Sequence, residues 1–108
     1  MHAKPKLDLT EAQLQIVGKL LTQHLPGATA WAYGSRVKGT ARRNSDLDLV
    51  VFAHQNLRAN VAQLQESFEE SDLPFPVDLH IWDEIPLDFQ SQISAAKIDL
   101  GAPLNTRH

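Results

Sequence analysis

The segment from Asp46 to Phe52 constrains the fold more than any other part of this sequence. It reads Asp-Leu-Asp-Leu-Val-Val-Phe, so two carboxylates open an apolar run with adjacent β-branched residues. Residues two apart in a strand point to the same face of a sheet. The segment therefore predicts a strand over 47–52, with Asp46 and Asp48 on one face. The apolar residues of the other face are expected to point into a core: Leu47, Leu49 and Val51.

A Gly-Ser pair, Gly34 and Ser35, precedes Asp46 with ten residues between. Gly34 has no Cβ, so its backbone can approach a ligand closely, and the Ser35 hydroxyl can bond a phosphate oxygen. Two neighbouring carboxylates repel unless a cation compensates, and Mg²⁺ usually binds through one or two carboxylates plus substrate phosphates. The pattern predicts phosphate binding at Gly34 and Ser35, and metal binding at Asp46 and Asp48.

Asp78 is the third acidic residue that we assign to this site. It occupies a polar position within Pro-Val-Asp-Leu-His, in the middle of a predicted strand over 77–82, where aspartate is disfavoured. If this strand lies beside the strand over 47–52, Asp78 faces the same site. It is then expected either to complete a two-metal centre or to accept the proton of an attacking hydroxyl. His80 shares this face, as a partner of Asp78 or as a surface residue.

A short basic stretch follows the Gly-Ser pair and contains Arg36 and Lys38. We expect both side chains to steady a triphosphate, or the pyrophosphate that leaves, by charge. The formal net charge of the chain is −3. An acidic chain with one local basic stretch is unlike a general nucleic-acid binder, so no direct nucleic-acid binding is expected.

The rest of the sequence predicts a single small α/β (α+β) domain over residues 1–108, with flexible tails at 1–7 and 101–108. A mixed sheet of about three strands is expected to pack with helices. The predicted helices cover 10–25, 60–71 and 86–98, with a short helix from Ser35 that breaks at Gly39, and the predicted strands cover 29–33, 47–52 and 77–82. The aromatic residues of the strands are expected in the core or at an interface: Trp31, Tyr33 and Trp82.

Cellular location is constrained by two absences in the sequence. There is no cysteine, which fits the cytosol, and the N-terminus leads into no long apolar segment. We therefore expect a cytoplasmic protein with no signal peptide and no membrane-spanning helix.

With these residues in place, the chain resembles a minimal nucleotidyltransferase (MNT) domain of the DNA polymerase β-like nucleotidyltransferase superfamily. The family pattern is Gly-Ser, ten residues, Asp-x-Asp, and a third acid on a later strand. Gly34, Ser35, Asp46, Asp48 and Asp78 fill it, and the order of the predicted elements fits as well. The resemblance implies transfer of a nucleoside monophosphate from an NTP, by default ATP, to an acceptor hydroxyl. Mg²⁺ assists, with two ions expected, and pyrophosphate is released.

The resemblance also implies a partner. MNT proteins are typically paired with a small helical HEPN protein as antitoxin and toxin, and the MNT chain adenylylates a tyrosine of the partner. This sequence has no His-x-Tyr like that of the HEPN motif, so it is expected to be the antitoxin of a hetero-oligomer. Two alternatives stay open. One is a small-molecule nucleotidyltransferase subunit, of the aminoglycoside-modifying kind, completed by a separate helical chain. The other is a non-catalytic nucleotide-binding module that neutralises its partner sterically.

Overall fold

The computed structural model describes residues 7–100 as an alternation of helices and strands. The helices are α1 (Glu11–His24), α2 (Ser35–Lys38), α3 (Arg58–Glu69) and α4 (Leu87–Ala95). The strands are β1 (Ala30–Tyr33), β2 (Leu47–Val51), β3 (Val77–Ile81) and β4 (Lys97–Asp99). Each predicted element is present to within a few residues, and β4 is an addition.

The strands form one mixed sheet in the order β3-β2-β1-β4. Strand β1 pairs antiparallel with both β2 and β4, whereas β2 pairs parallel with β3. A mixed sheet packed with helices confirms the predicted α+β fold. The sheet has four strands instead of about three, because the predicted helix over 86–98 ends at Ala95 and the chain then pairs with the open side of β1.

The core lies between one face of the sheet and helices α1 and α3. Leu47, Leu49 and Val51 are fully buried there, as predicted, together with Val17 of α1 and Leu64 of α3. The opposite face of the sheet carries a smaller cluster, to which α4 contributes Ile93. This second face holds the polar side chains of β2 and β3, so the candidate site lies between the sheet and α4.

The N-terminal end of the described chain is anchored. Thr10 and Gln13 form a capping box at the start of α1, with the Gln13 backbone N–H donating to Thr10 Oγ1 at 3.1 Å. Leu7, the first described residue, packs against the core. The predicted tails over 1–6 and 101–108 lie outside the described residues. Within residues 7–100, no helix combines the length and the apolar character needed to cross a membrane.

Candidate active site

A row of directly opposed residues runs across all four strands of the sheet. In the strand register, Lys97 pairs with Tyr33, Tyr33 with Asp48, and Asp48 with Asp78. Directly opposed residues on neighbouring strands present their side chains on the same face. The parallel pairing of β2 with β3 thus brings Asp48 beside Asp78, which is the arrangement that we expected from the sequence.

Gly34 places the Gly-Ser turn directly against the Asp48 carboxylate. It follows β1 with φ 81° and ψ −154°, a left-handed conformation that favours glycine. A Cβ on Gly34 would overlap the Asp48 carboxylate. The Gly34 carbonyl accepts from the backbone N–H groups of Val37 and Lys38, both at 3.0 Å, which starts α2. Ser35 is the half-buried first residue of α2.

The electrostatics of the row follow from this crowding. Burial, the Asp78 charge and then the Asp46 charge raise the pKa of Asp48 to about 6, and His80 partly offsets them. Burial and the charges of Asp48 and Asp78 raise the pKa of Tyr33 to about 12, so its phenol stays protonated at neutral pH. Asp78 Oδ2 lies 3.1 Å from His80 Nε2, and both side chains are about half exposed. The carboxylates therefore form a cluster of negative charge, which a bound cation would stabilise.

Asp46 stands apart from the other two acids. It is exposed and lies one residue before β2. Its charge reaches Asp48, but nowhere in residues 7–100 are three or more acidic or histidine side chains gathered into a metal-binding group. The donor chemistry fits Mg²⁺, a hard cation that takes oxygen ligands and is commonly held by one or two carboxylates. Asp48 and Asp78 are the adjacent pair that matches this requirement.

The structure does not bring Arg36 to the site, which corrects our expectation of a phosphate contact. Its side chain is buried, at 4% exposure. The guanidinium donates to backbone carbonyls at 2.9 to 3.4 Å and lies 3.9 Å over the ring of Phe75. The accepting carbonyls belong to Asp8, Arg42, Arg43 and Ser45. Arg36 therefore ties α2 to the loop before Asp46 and to Asp8, and these carbonyls take up its donors.

A cavity of about 240 Å³ lies over the row. One side, formed by the sheet and α2, includes Lys38. This residue is exposed, as contact with a phosphate requires. The other side of the cavity comes from α4, which the sequence analysis did not connect to the site. Tyr33 was also missed, because it was assigned only to the core or an interface, although its position directly before Gly34-Ser35 was a usable signal. The lining residues are Tyr33, Gly34, Lys38, Asp48, Asp78, His80, Phe89, Gln92, Ile93 and Ala96.

Adjacent carboxylates on two parallel strands, with a Gly-Ser turn against one of them, define a nucleotidyltransferase type of site. The chain belongs to the family described as "Polymerase beta, Nucleotidyltransferase", whose profile matches residues 15–100. The family predicted from the sequence is thereby confirmed, and the protein is a nucleotidyltransferase.

A curated relative and two solved structures are similar to this chain. The relative, "Probable protein adenylyltransferase MntA" of Haemophilus influenzae, is 44% identical over 94 residues, which cover 86% of this chain and 82% of the relative. A structure described as a toxin-antitoxin with AMP-PNP aligns with a TM-score of 0.68 at 26% identity, over 81% of this chain and 71% of that one. A mutant MntA-HpeT toxin-antitoxin structure aligns over the same shares with a TM-score of 0.67 at 24% identity, and supports the fold alone.

Proposed function

We propose that this chain is a protein adenylyltransferase that acts as an antitoxin. It transfers AMP from ATP to a tyrosine hydroxyl of a helical, HEPN-type toxin, with which it forms a hetero-oligomer in the cytoplasm. The observation that carries the proposal is the adjacent pair Asp48 and Asp78 beside Gly34. The name of the H. influenzae relative supports a protein acceptor, and the toxin-antitoxin structure at 26% identity supports a toxin partner.

The acidic residues would hold Mg²⁺. Asp48 and Asp78 supply neighbouring oxygen donors, and Asp46 adds a third negative charge close by. When bound, Mg²⁺ neutralises phosphate charge and stabilises the oxygens that attack and leave. Burial and then the charges of Asp78 and Asp46 raise the pKa of Asp48, and a bound cation would offset the repulsion between these carboxylates.

The remaining residues would bind and orient the substrates. The backbone of Gly34 and the hydroxyl of Ser35 hold phosphate oxygens, and the exposed Lys38 adds positive charge. Asp78 lies on β3, one of the two edge strands of the sheet, with half of its side chain exposed. A hydroxyl on another protein can reach this edge, and Asp78 accepts its proton.

The reaction is a displacement at the α-phosphorus of ATP. The acceptor oxygen forms a bond to this phosphorus while the bond from the phosphorus to the oxygen that bridges to the β-phosphate breaks. The products are an adenylylated hydroxyl and pyrophosphate. Catalysis of this kind depends on positioning and charge stabilisation more than on covalent chemistry by the protein.

Intact-mass spectrometry of the partner tests the proposal. The chain is incubated with Mg²⁺, ATP and the protein encoded beside it, using wild type, Asp48→Asn, Asp46→Asn and the control Asp83→Asn. Asp83 is exposed in the turn after β3 and lies outside the cavity lining. We expect the mass of an adenylyl group on the partner with wild type and Asp83→Asn, and little or none with the other two. A stable complex whose partner keeps its mass would overturn the proposal and favour a small-molecule acceptor or steric neutralisation.

A further inference from the structure

The side of the cavity that comes from α4 is built differently from the side that carries the acids. Its residues are Phe89, Gln92, Ile93 and Ala96. Their spacing of three, four and seven residues places them along one face of the helix or just beyond its end. The cavity, at about 240 Å³, is smaller than the ~300–1,000 Å³ that enclose a whole drug-sized ligand. It therefore suits one part of a nucleotide at a time.

Phe89 provides an aromatic surface at this side of the cavity. Its side chain is 39% exposed, although large apolar residues are usually buried. It contacts the ring of Tyr33 edge to face, with the ring centroids 5.9 Å apart. Ile93 continues the apolar wall and is buried. Aromatic and apolar walls of this kind take flat ring systems, and nucleobases stack on aromatic side chains whatever their identity.

Gln92 provides an uncommitted amide beside this surface. It is exposed, and no residue in the described range 7–100 forms a hydrogen bond with its side chain. The neighbouring Gln90 differs, because its amide donates to the Trp82 carbonyl at 2.9 Å. A glutamine amide offers a donor and an acceptor together, which is the pattern that an adenine edge matches.

We propose that this face of α4 is the nucleobase subsite, in which Phe89 contacts the purine ring and Gln92 selects adenine through its amide. The inference rests on the proposed transfer from ATP. It assigns a binding site to the adenine base, which is the part of ATP that does not react. The opposite side of the cavity is left for the acceptor, because Asp78 and His80 lie on the edge strand β3 and are both about half exposed. A hydroxyl on another protein must enter from such an open edge.

The decisive variant is Gln92→Glu. A carboxylate offers acceptors only, so it cannot pair with the donor and acceptor of adenine, but it can accept from the two neighbouring N–H groups of guanine. We expect the ratio of kcat/KM for ATP to that for GTP to fall by at least ~10-fold, as for the loss of one specific base contact. The matched control is Gln63→Glu, which adds the same charge on the exposed side of α3, away from the cavity. An unchanged ratio in Gln92→Glu would overturn the proposal.

A second variant, Phe89→Ala, separates base binding from acceptor binding. Binding of ATP and of inorganic tripolyphosphate is measured with Mg²⁺ by calorimetry, which does not require transfer. We expect ATP binding to weaken by ~10-fold or more, in line with loss of a stacking contact, and tripolyphosphate binding to stay unchanged. Equal weakening of both ligands would overturn the subsite. So would unchanged ATP binding with slower modification of the partner, because α4 would then contact the acceptor. If wild type binds ATP but transfers nothing, the proposed function fails. The base subsite can still be tested in that case, by comparing the binding of ATP with that of GTP.

Discussion

At the scale of single residues, the contact between Gly34 and the Asp48 carboxylate joins the two halves of the sequence pattern. Gly27 serves as a control for positive φ, because both glycines have φ 81° and a Cβ at Gly27 would meet nothing within 4 Å. Gly27→Ala is expected to cost only the left-handed conformation, ~1–2 kcal/mol of unfolding free energy. Gly34→Ala is expected to cost more, and to reduce transfer by ~100-fold or more because the Gly-Ser turn that we propose binds phosphate is displaced.

Urea unfolding and transfer rates of the two alanine variants measure this difference. The double variant Gly34→Ala with Asp48→Gly removes the overlapping carboxylate and should recover most of the extra stability loss while staying inactive. Equal stability losses in Gly27→Ala and Gly34→Ala would contradict the close contact with Asp48.

Asp48 also gives the protein a characteristic pH dependence. Its pKa is raised from 3.8 to about 6 in the folded state. Between about pH 4 and pH 6, the folded chain keeps a proton that the unfolded chain has lost, so stability falls as pH rises through this window. Such a shift corresponds to at most ~3 kcal/mol of unfolding free energy. Solvent screening at a half-buried site reduces this contribution to ~1–2 kcal/mol.

Asp48→Asn is therefore expected to be more stable than wild type above about pH 6. The comparison uses urea unfolding with a chelator present, and the advantage should disappear below about pH 4. Asp83→Asn, at an exposed turn, should show no such crossover. Added Mg²⁺ should stabilise wild type and not the variant. A variant that is less stable than wild type at neutral pH without divalent cations would refute the assigned cause.

At the scale of elements, the short helix α2 depends on Arg36 for its attachment to the loop before Asp46. Arg36→Met keeps apolar contact with Phe75 but leaves the carbonyls of Asp8, Arg43 and Ser45 without the guanidinium donor. We expect a loss of ~2–4 kcal/mol in unfolding free energy. Lys38→Met, on an exposed residue of the same helix, should change stability by less than ~0.5 kcal/mol.

The order of the two variants should reverse for ATP binding, which Lys38→Met is expected to weaken more than Arg36→Met. Lys38→Met is expected to weaken ATP binding in a folded protein, because Lys38 lines the cavity. Calorimetry on both variants, under conditions where Arg36→Met remains folded, provides the comparison. If Lys38→Met loses stability as Arg36→Met does, the assignment of Arg36 alone to the structural role is wrong.

Particular elements explain why part of the site could be predicted from the sequence and the rest could not. Leu47, Leu49 and Val51 alternate along β2, and this period of two predicts which face of the strand packs into the main core. Asp48 could therefore be placed on the opposite face. Arg36 could not, because a cation in a basic stretch suggests a phosphate contact until folding brings several carbonyls to it. Lys97 and Ile98 of β4 were assigned to a helix, because pairing with β1 is a tertiary contact that periodicity does not contain.

At the scale of the whole molecule, the sheet order decides how the site faces its substrates. Asp78 was expected to face the site of Asp48 if the second and third predicted strands lie side by side. The parallel register of β2 with β3 meets this condition. The contribution of α4 could not be predicted, because its packing over the face of the sheet that carries Tyr33 and Val50 is a tertiary contact. The acids thus lie toward an open edge, and the helix covers the opposite side.

The central claim, transfer of a nucleotidyl group at the Asp48–Asp78 site, is tested most directly by labelled ATP. The chain and its partner are incubated with Mg²⁺ and ATP labelled at either the α-phosphate or the γ-phosphate, and label on the partner is counted. We predict that the α-label appears on the partner, that the γ-label is released as pyrophosphate, and that Asp48→Asn abolishes both. Label from the γ-phosphate on the partner, or α-label that persists in Asp48→Asn, would contradict nucleotidyl transfer at this site.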